Sequence, residues 1–272
     1  MTPRRSWLRL LVPPLLALLV GGSAPLRAAP SHLVLVELFT SQGCSSCPPA
    51  DAFIRALPGL GFGRDRVVPL TFHVDYWDDL GWKDPFASPA FTERQRAYAR
   101  SGLLSSPAGE DGIHGVYTPQ MVVGGRVHLS GGRRDAALEE IQRAASGPEP
   151  AALVATAVLD GPREQALVTA RVTAAPRPPA AHEWRLFVAL AQKQARTAVA
   201  HGENAGDTLL EAAVARWLSP PLSVSTDGGP VQVAVPRPRD VPWGELELVV
   251  FVQSQSTGQV VGVRSVALPA AA

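Results

Sequence analysis

The stretch LVLVELFTSQGCSSCPPADAFIRAL, Leu33 to Leu57, decides how the rest of the chain is read. An apolar run carrying a single acid, Glu37, passes through a short polar loop into Cys44-Ser45-Ser46-Cys47, then two prolines and a helix-like segment. These are the only two cysteines in 272 residues. Side chains three apart at a helix start are neighbours, so the two sulfurs reach disulfide geometry with little backbone movement. The first cysteine lies where unpaired N–H groups and the positive end of the helix dipole favour a thiolate, the attacking species. Pro48 and Pro49 fall within the first turn, where a missing N–H costs little. Placed between a strand and a helix, such a pair reads first as a dithiol redox site.

Other readings of the pair stand beside this one. A purely structural disulfide would close a loop too small to constrain much unfolded-chain entropy. A structural zinc site needs four ligands, and the chain has two cysteines. Copper needs only soft ligands and a histidine or methionine, so Cys44 and Cys47 with His73, His114 or Met121 form an alternative copper site.

Composition bounds the rest. The chain is 46% hydrophobic and 18% charged with a net charge of +1, the make-up of a folded protein with no electrostatic case for nucleic acid. Residues 1–29 read as an export signal: Arg4, Arg5 and Arg9 precede an apolar core from Leu10 to Val20, far short of the ~20 residues that span a bilayer. Arg4-Arg5-Ser6-Trp7-Leu8-Arg9 also fits the twin-arginine pattern, the other reading being an ordinary secretory signal with an incidental arginine pair. The mature protein is expected in the periplasm or medium without a transmembrane anchor, where a dithiol can be oxidised.

Beyond the cysteines, Arg66–Val74 reads as a second buried strand, which completes a right-handed strand–helix–strand unit with a sheet covered on both faces. His73, Asp75, Trp77 and Trp82 fall at or just past its carboxyl end, where sites in open α/β sheets lie. A histidine hydrogen-bonded in the core, with tryptophans covering a sheet edge, is the plainer account of the same residues. Phe91–Arg100 has helical character, with Ser88-Pro89 as N-cap and first position, and 105–115 reads as a mobile loop. Two apolar runs meeting at Gly124-Gly125 predict a hairpin, and an amphipathic helix follows over Arg133–Ala145.

Ser146–Ala151 has a linker's composition and places a domain boundary there. Strands are expected over Leu153–Asp160, Ala166–Ala174, Trp184–Gln192, Val231–Val235, Leu246–Gln253 and Gln259–Val266, with 207–218 open between helix and strand. The prediction is an α/β first domain with a helical insertion (30–146) and an all-β sandwich-like second domain (152–270). His201-Gly-Glu-Asn-Ala-Gly206 has the residues of a tight connection and equally those of a binding loop.

The order of elements, with Thr118-Pro119 just before the strand that follows the helices, resembles the thioredoxin fold. More closely, VELFTSQGCSSCPPA (36–50), FHVDYWD (72–78), GWKDPF (81–86), YTPQMVV (117–123) and GENAG (202–206) resemble one family. It is the secreted, thioredoxin-like "domain of unknown function" family of bacterial exported proteins (number twelve twenty-three), over roughly residues 33–270. The resemblance implies a thioredoxin-like first domain, a cis proline at Pro119 facing the cysteine pair, and no known substrate. In thioredoxins a buried acid on the strand before the cysteines relays a proton to the second cysteine; Glu37 lies on the equivalent strand, and burial would raise its pKa. The alternative is a glutamate at a sheet edge facing water.

The function expected from these readings is an exported thiol–disulfide oxidoreductase acting on protein thiols and disulfides. Cys44 attacks, Cys47 resolves the mixed disulfide, Glu37 serves as base, and Thr118, Pro119 and Trp77 hold the substrate chain. No cofactor beyond the disulfide is required, and copper enters only under the alternative. A non-catalytic interaction protein with an inert disulfide is the remaining reading.

Overall fold

The computed structural model describes residues 32–107, 115–147, 151–161, 164–174, 183–224 and 228–268. Residues 1–29, expected to be an export signal, His114, and parts of the 105–115 loop and of the linker lie outside the described residues.

Strand β1 (Val34–Thr40) and strand β2 (Val67–His73) run parallel in register, Val34 opposite Val67 and Thr40 opposite His73. Helix α1 (Pro48–Ala56) connects them with Cys47 as its N-cap. Helix α2 (Pro89–Ser101) starts where the Ser88 hydroxyl accepts from the Ala90 N–H and stops at Gly102, whose φ is +62°. Strands β3 (Gln120–Val123) and β4 (Val127–Ser130) form the expected hairpin, with Gly124 and Gly125 at positive φ. Helix α3 (Arg134–Ala145) closes the segment.

Every residue of β1 is buried, so its alternation sorts side chains between two covered faces. Val34, Val36 and Leu38 pack with α1 and α3 through Phe53, Ile54, Ala137 and Ile141. Leu35 and Phe39 face the other way, with Phe72, Phe91 and Tyr98, on the side of α2. Thr40 shares the parity of Leu38; Glu37 does not.

The chain continues as β5 (Ala152–Asp160), β6 (Gln165–Ala174), β7 (Trp184–Ala198), β8 (Thr208–Leu218), β9 (Leu222–Ser223), β10 (Val231–Pro236), β11 (Leu246–Ser254) and β12 (Val260–Ala267). The ambiguous 207–218 segment is strand. Ala213 adopts φ +54°, and the β7–β8 register shifts between Leu190 and Ala191, an irregularity that breaks the period-two pattern.

The division expected at 146–151 is not a division of the sheet. A nine-stranded sheet runs in the order β12-β11-β7-β8-β2-β1-β3-β4, with β9 paired to β7. Strand β8 lies parallel to β2 through Thr71 and Val214, and the Thr71 hydroxyl donates to the Ala212 carbonyl at 2.8 Å. An uncovered β2 would present unpaired backbone groups, and β8 covers them. A second sheet, β10-β6-β5, lies over β7, β11 and β12 across a core that includes Leu153, Val168, Trp184, Leu190 and Val250. On the α2 side, Phe187, Val249 and Phe251 of the C-terminal half join the same core as Phe39 and Phe72. Two turns also interlock: a Cβ at Gly125 would overlap the carbonyl of Gly258, and Val260 N–H donates to Gly124 O at 2.8 Å. The core therefore crosses the linker.

Candidate active site

Cys44 and Cys47 are joined by a disulfide, with Cα atoms 5.5 Å apart. The pair sits where the buried β1 ends and α1 begins, so both sulfurs are anchored to rigid elements. Relative exposure is 1% for Cys44 and 0% for Cys47, while Ser45 and Ser46 between them are exposed.

Counting donors at the helix start changes one expectation. Pro48 and Pro49 contribute no N–H, and those of Ala50 and Asp51 both go to the Cys47 carbonyl. The Cys47 N–H goes to the Cys44 carbonyl, and the Cys44 N–H to that of Ser41. No helix-start amide is left for a Cys44 thiolate. The hydroxyl of Ser46, 3.3 Å from the Cys44 sulfur, is a group in place to donate to it.

The expected substrate-side residues gather. Trp77 Nε1 donates to Thr118 Oγ1 at 2.9 Å, and the Trp77 Cβ lies 3.4 Å from where a Cβ on Gly43 would be. The Thr118–Pro119 bond is cis. Gly131 N–H donates to Pro119 O, and a Cβ there would stand 2.8 Å from the Ala50 Cβ and 3.0 Å from the Pro119 Cβ. Pro119 and the first turn of α1 thus meet the same glycine.

Two expected residues lie elsewhere in role. Glu37 points to the α2 face, away from α1; Arg94 takes one carboxylate oxygen and the Tyr98 hydroxyl donates to the other. Both oxygens are occupied on the wrong side of the sheet for Cys47, so the proton-relay role is not Glu37's. His73 faces carboxylates and not sulfur: Nδ1 is 2.7 Å from Asp84, and Nε2 is 3.6 Å from Glu211. That geometry does not place its ring nitrogens toward the cysteines as a copper ligand, and Met121 is buried among α1- and α3-facing apolar side chains.

The C-terminal half supplies a clasp. In the turn between β7 and β8, Asn204 Nδ2 donates to the carbonyls of Gln42 (2.8 Å) and Cys44 (3.1 Å), and Glu203 accepts the Ser45 N–H at 2.9 Å. Those hydrogen bonds from Ser45 hold the Glu203 carboxyl below its ordinary range. Gly202, at φ +78°, packs on Trp82, where a Cβ would come within 3.0 Å of the tryptophan Cβ. The turn is a tight connection whose polar side chains hold the cysteine loop of the same chain.

A buried polar cluster combines Asp51 of α1, His73 of β2, Asp84 of the segment between β2 and α2, and Glu211 of β8. Asp84 also accepts the Gln42 N–H at 2.8 Å, Gln42 Nε2 donates to Glu211 at 2.8 Å, and Thr40 donates to Asp51 at 3.2 Å. Burial lowers the His73 pKa, but Asp84 and Glu211 beside it more than offset this and push it up to about 9. Burial acts upward on Asp84, and the His73 charge and its hydrogen bonds hold it below the carboxylate range. Burial, then the Glu211 charge, push Asp51 up to about 7; burial also raises Glu211.

The model of the family described as "Protein of unknown function (DUF1223)" matches residues 35–253. The chain belongs to this family. The DUF1223 match begins in β1 and ends in β11, so it takes in the cysteines, the clasp and Glu211 together. The crystal structure of protein AGR_C_4864 from Agrobacterium tumefaciens is similar at a TM-score of 0.58 and 27% identity, covering 85% of this chain and 92% of that one. A domain of the outer membrane lipoprotein Omp28 from Porphyromonas gingivalis aligns at 14% identity over 44% of this chain and 88% of that one; its TM-score of 0.29 carries no argument. No curated protein matches the chain.

Sequence reasoning passed over Asp51, Asp84 and Glu211 in this DUF1223 protein. Asp51 was detectable as the acid one helical turn beyond Cys47. Glu211 lies in a segment whose strand character was itself ambiguous, and no local signal marks it.

Proposed function

We propose that this protein is an exported thiol–disulfide oxidoreductase of thioredoxin-like fold, acting on cysteines of other proteins through Cys44 and Cys47. One observation carries the reading: the disulfide stands at the junction of a buried strand and the helix that follows it. The order β1-α1-β2-α2-β3-β4-α3, with strands side by side as β2-β1-β3-β4, supports the thioredoxin-like assignment. The placing of Thr118-Pro119 beside the first turn of α1 does the same. The basic-then-apolar start of the chain supports export; among the described residues no helix is long and apolar enough to cross a membrane.

In this mechanism the reduced Cys44 attacks a substrate disulfide as thiolate, aided by the Ser46 hydroxyl. Cys47 then attacks the Cys44 sulfur, re-forming the disulfide and releasing the substrate thiol. Trp77, Thr118 and Pro119 form the wall along which the substrate backbone lies. The clasp has to swing aside, because Cys44 is covered while Asn204 holds its carbonyl.

Partner trapping tests this. A Cys47→Ala variant expressed with its signal should accumulate covalent adducts with periplasmic proteins that a thiol reductant releases and that Cys44→Ala does not form. Equal adduct levels in both variants, or none in either, refute the reading.

A further inference from the structure

A dithiol that closes on a mixed disulfide must dispose of a proton. Cys47 is fully buried, so water does not reach its thiol directly, and an internal group has to accept that proton. Asp51 follows Cys47 by four residues on α1, its N–H bonded to the Cys47 carbonyl, so the two side chains share a helix face.

The surroundings of Asp51 look built for a proton and not for stability. Asp51 Oδ1 is buried with no hydrogen-bond partner among the described residues, whereas His73 Nε2 and Glu211 Oε1 face each other as an ion pair at 3.6 Å, beyond hydrogen-bond reach. Leaving a buried carboxylate oxygen without a donor is costly, and a part in proton transfer is an explanation for it. A cavity of about 150 Å³, lined by Pro48, Asp51, Arg55 and Thr208 to Glu211, opens beside the same carboxylate. The groups facing Asp51 come from every neighbouring element: Thr40 from β1, His73 from β2, Asp84 from the loop beyond it, Glu211 from β8, and Arg55 from α1 itself.

We infer that Asp51 accepts the Cys47 proton and passes it to solvent through this cavity, with Glu211 of the C-terminal half as its positioning residue. The inference rests on the oxidoreductase reading. In the step, the Cys47 sulfur bonds to the Cys44 sulfur and the bond from Cys44 to the substrate sulfur breaks. The substrate sulfur leaves as thiolate with the electron pair, the cysteine pair is oxidised as the substrate is reduced, and the Cys47 proton moves to the Asp51 carboxylate. The reverse reaction returns the proton along the same path. A carboxylate raised toward neutral pH suits the task, and the Glu211 charge contributes to raising it. The active site is then completed from both halves of the chain.

The test uses the reduced full-length mature protein with excess dithiobis(nitrobenzoate), an aromatic disulfide whose two thiolates are released in turn. The first release reads the Cys44 attack and the second reads closure by Cys47. Asp51→Asn should slow the second release relative to the first on the order of a hundredfold at neutral pH and remove its inflection near pH 7. Asp51→Glu should recover much of the rate. Glu211→Gln, which keeps Asp51 and covers the case that Asp51→Asn folds poorly, should move the inflection to lower pH. A second release unchanged in rate and pH profile in Asp51→Asn, or an inflection unmoved in Glu211→Gln, overturns the assignment while the oxidoreductase reading stands. A parent protein that releases no thiolate at all overturns both.

Discussion

Replacing Arg94 by methionine tests how the two halves of the chain are held together. Arg94 is nearly buried, pairs with the fully buried Glu37, donates to Tyr98 at 3.0 Å and lies within 3.5 Å of Gln253 Oε1 on β11. Its guanidinium stands 4.8 Å from the ring centroids of both Phe187 and Phe251 of the C-terminal half. Methionine fills similar space but leaves Glu37 with one neutral donor, and breaking a buried pair from one side costs about 3–5 kcal/mol. At about 2–4 °C per kcal/mol for a chain of this size, the melting temperature should fall by roughly 6–20 °C. The double variant Glu37→Gln with Arg94→Met should recover most of that loss, because the uncompensated charge is gone. Thermal and urea denaturation followed by circular dichroism measure both variants. A single-variant loss under about 1 kcal/mol, or a double variant no better than the single one, would refute the argument that this pair is a buried link between the halves.

Ser46→Ala should raise the Cys44 thiol pKa in the reduced protein by about one unit, since one charge-assisted hydrogen bond of about 1.5 kcal/mol is lost; alkylation rate against pH reads it, and an unchanged value would return the stabilisation to the helix start. Asn204→Ala should speed reduction of the disulfide by a small-molecule thiol by up to about thirtyfold, because two hydrogen bonds of the clasp, each contributing about 1 kcal/mol, are gone; an unaltered rate would mean the clasp does not limit access. His73, raised to about 9, binds its proton more tightly folded than unfolded. Its stabilisation is complete below its ordinary pKa and lost as pH rises through about 9, roughly 3 kcal/mol at about 1.4 per unit. Asp51, raised to about 7, acts in the same direction at lower pH, so the urea midpoint should fall between pH 6 and 9, and His73→Gln should flatten that slope. A midpoint that rises over this interval contradicts the cluster.

The elements nearest the cysteines were legible because each carried a local mark. Apolar runs gave β1 and β2, paired prolines opened α1, Ser88 capped α2, and Gly124-Gly125 turned the hairpin. The site was legible only where residues adjoin the cysteines. Glu37 was chosen by its distance along β1, whereas its face was set by alternation: Val36 and Leu38 meet α1, so Glu37 cannot. Pairing of β8 with β2 was not visible, because the partners lie about 140 residues apart and the positive φ of Ala213 disrupts the strand's alternation. Asp51 read as one more polar helix position, and its significance depends on His73 and Glu211 arriving from distant segments.

In the proposed reaction Asn204 and Glu203 together would act as a tethered competitor. They occupy the Cys44 carbonyl and the Ser45 N–H, backbone groups that an incoming polypeptide would engage, and being covalently attached they are present at high effective concentration. A partner's apparent affinity is then its intrinsic affinity scaled by the fraction of molecules with the clasp open. Raising partner concentration should accelerate mixed-disulfide formation only up to the clasp-opening rate. Partners that engage the surface beyond the turn and open it would escape that ceiling, so a preference among substrates would arise without any contact to the sulfur atoms.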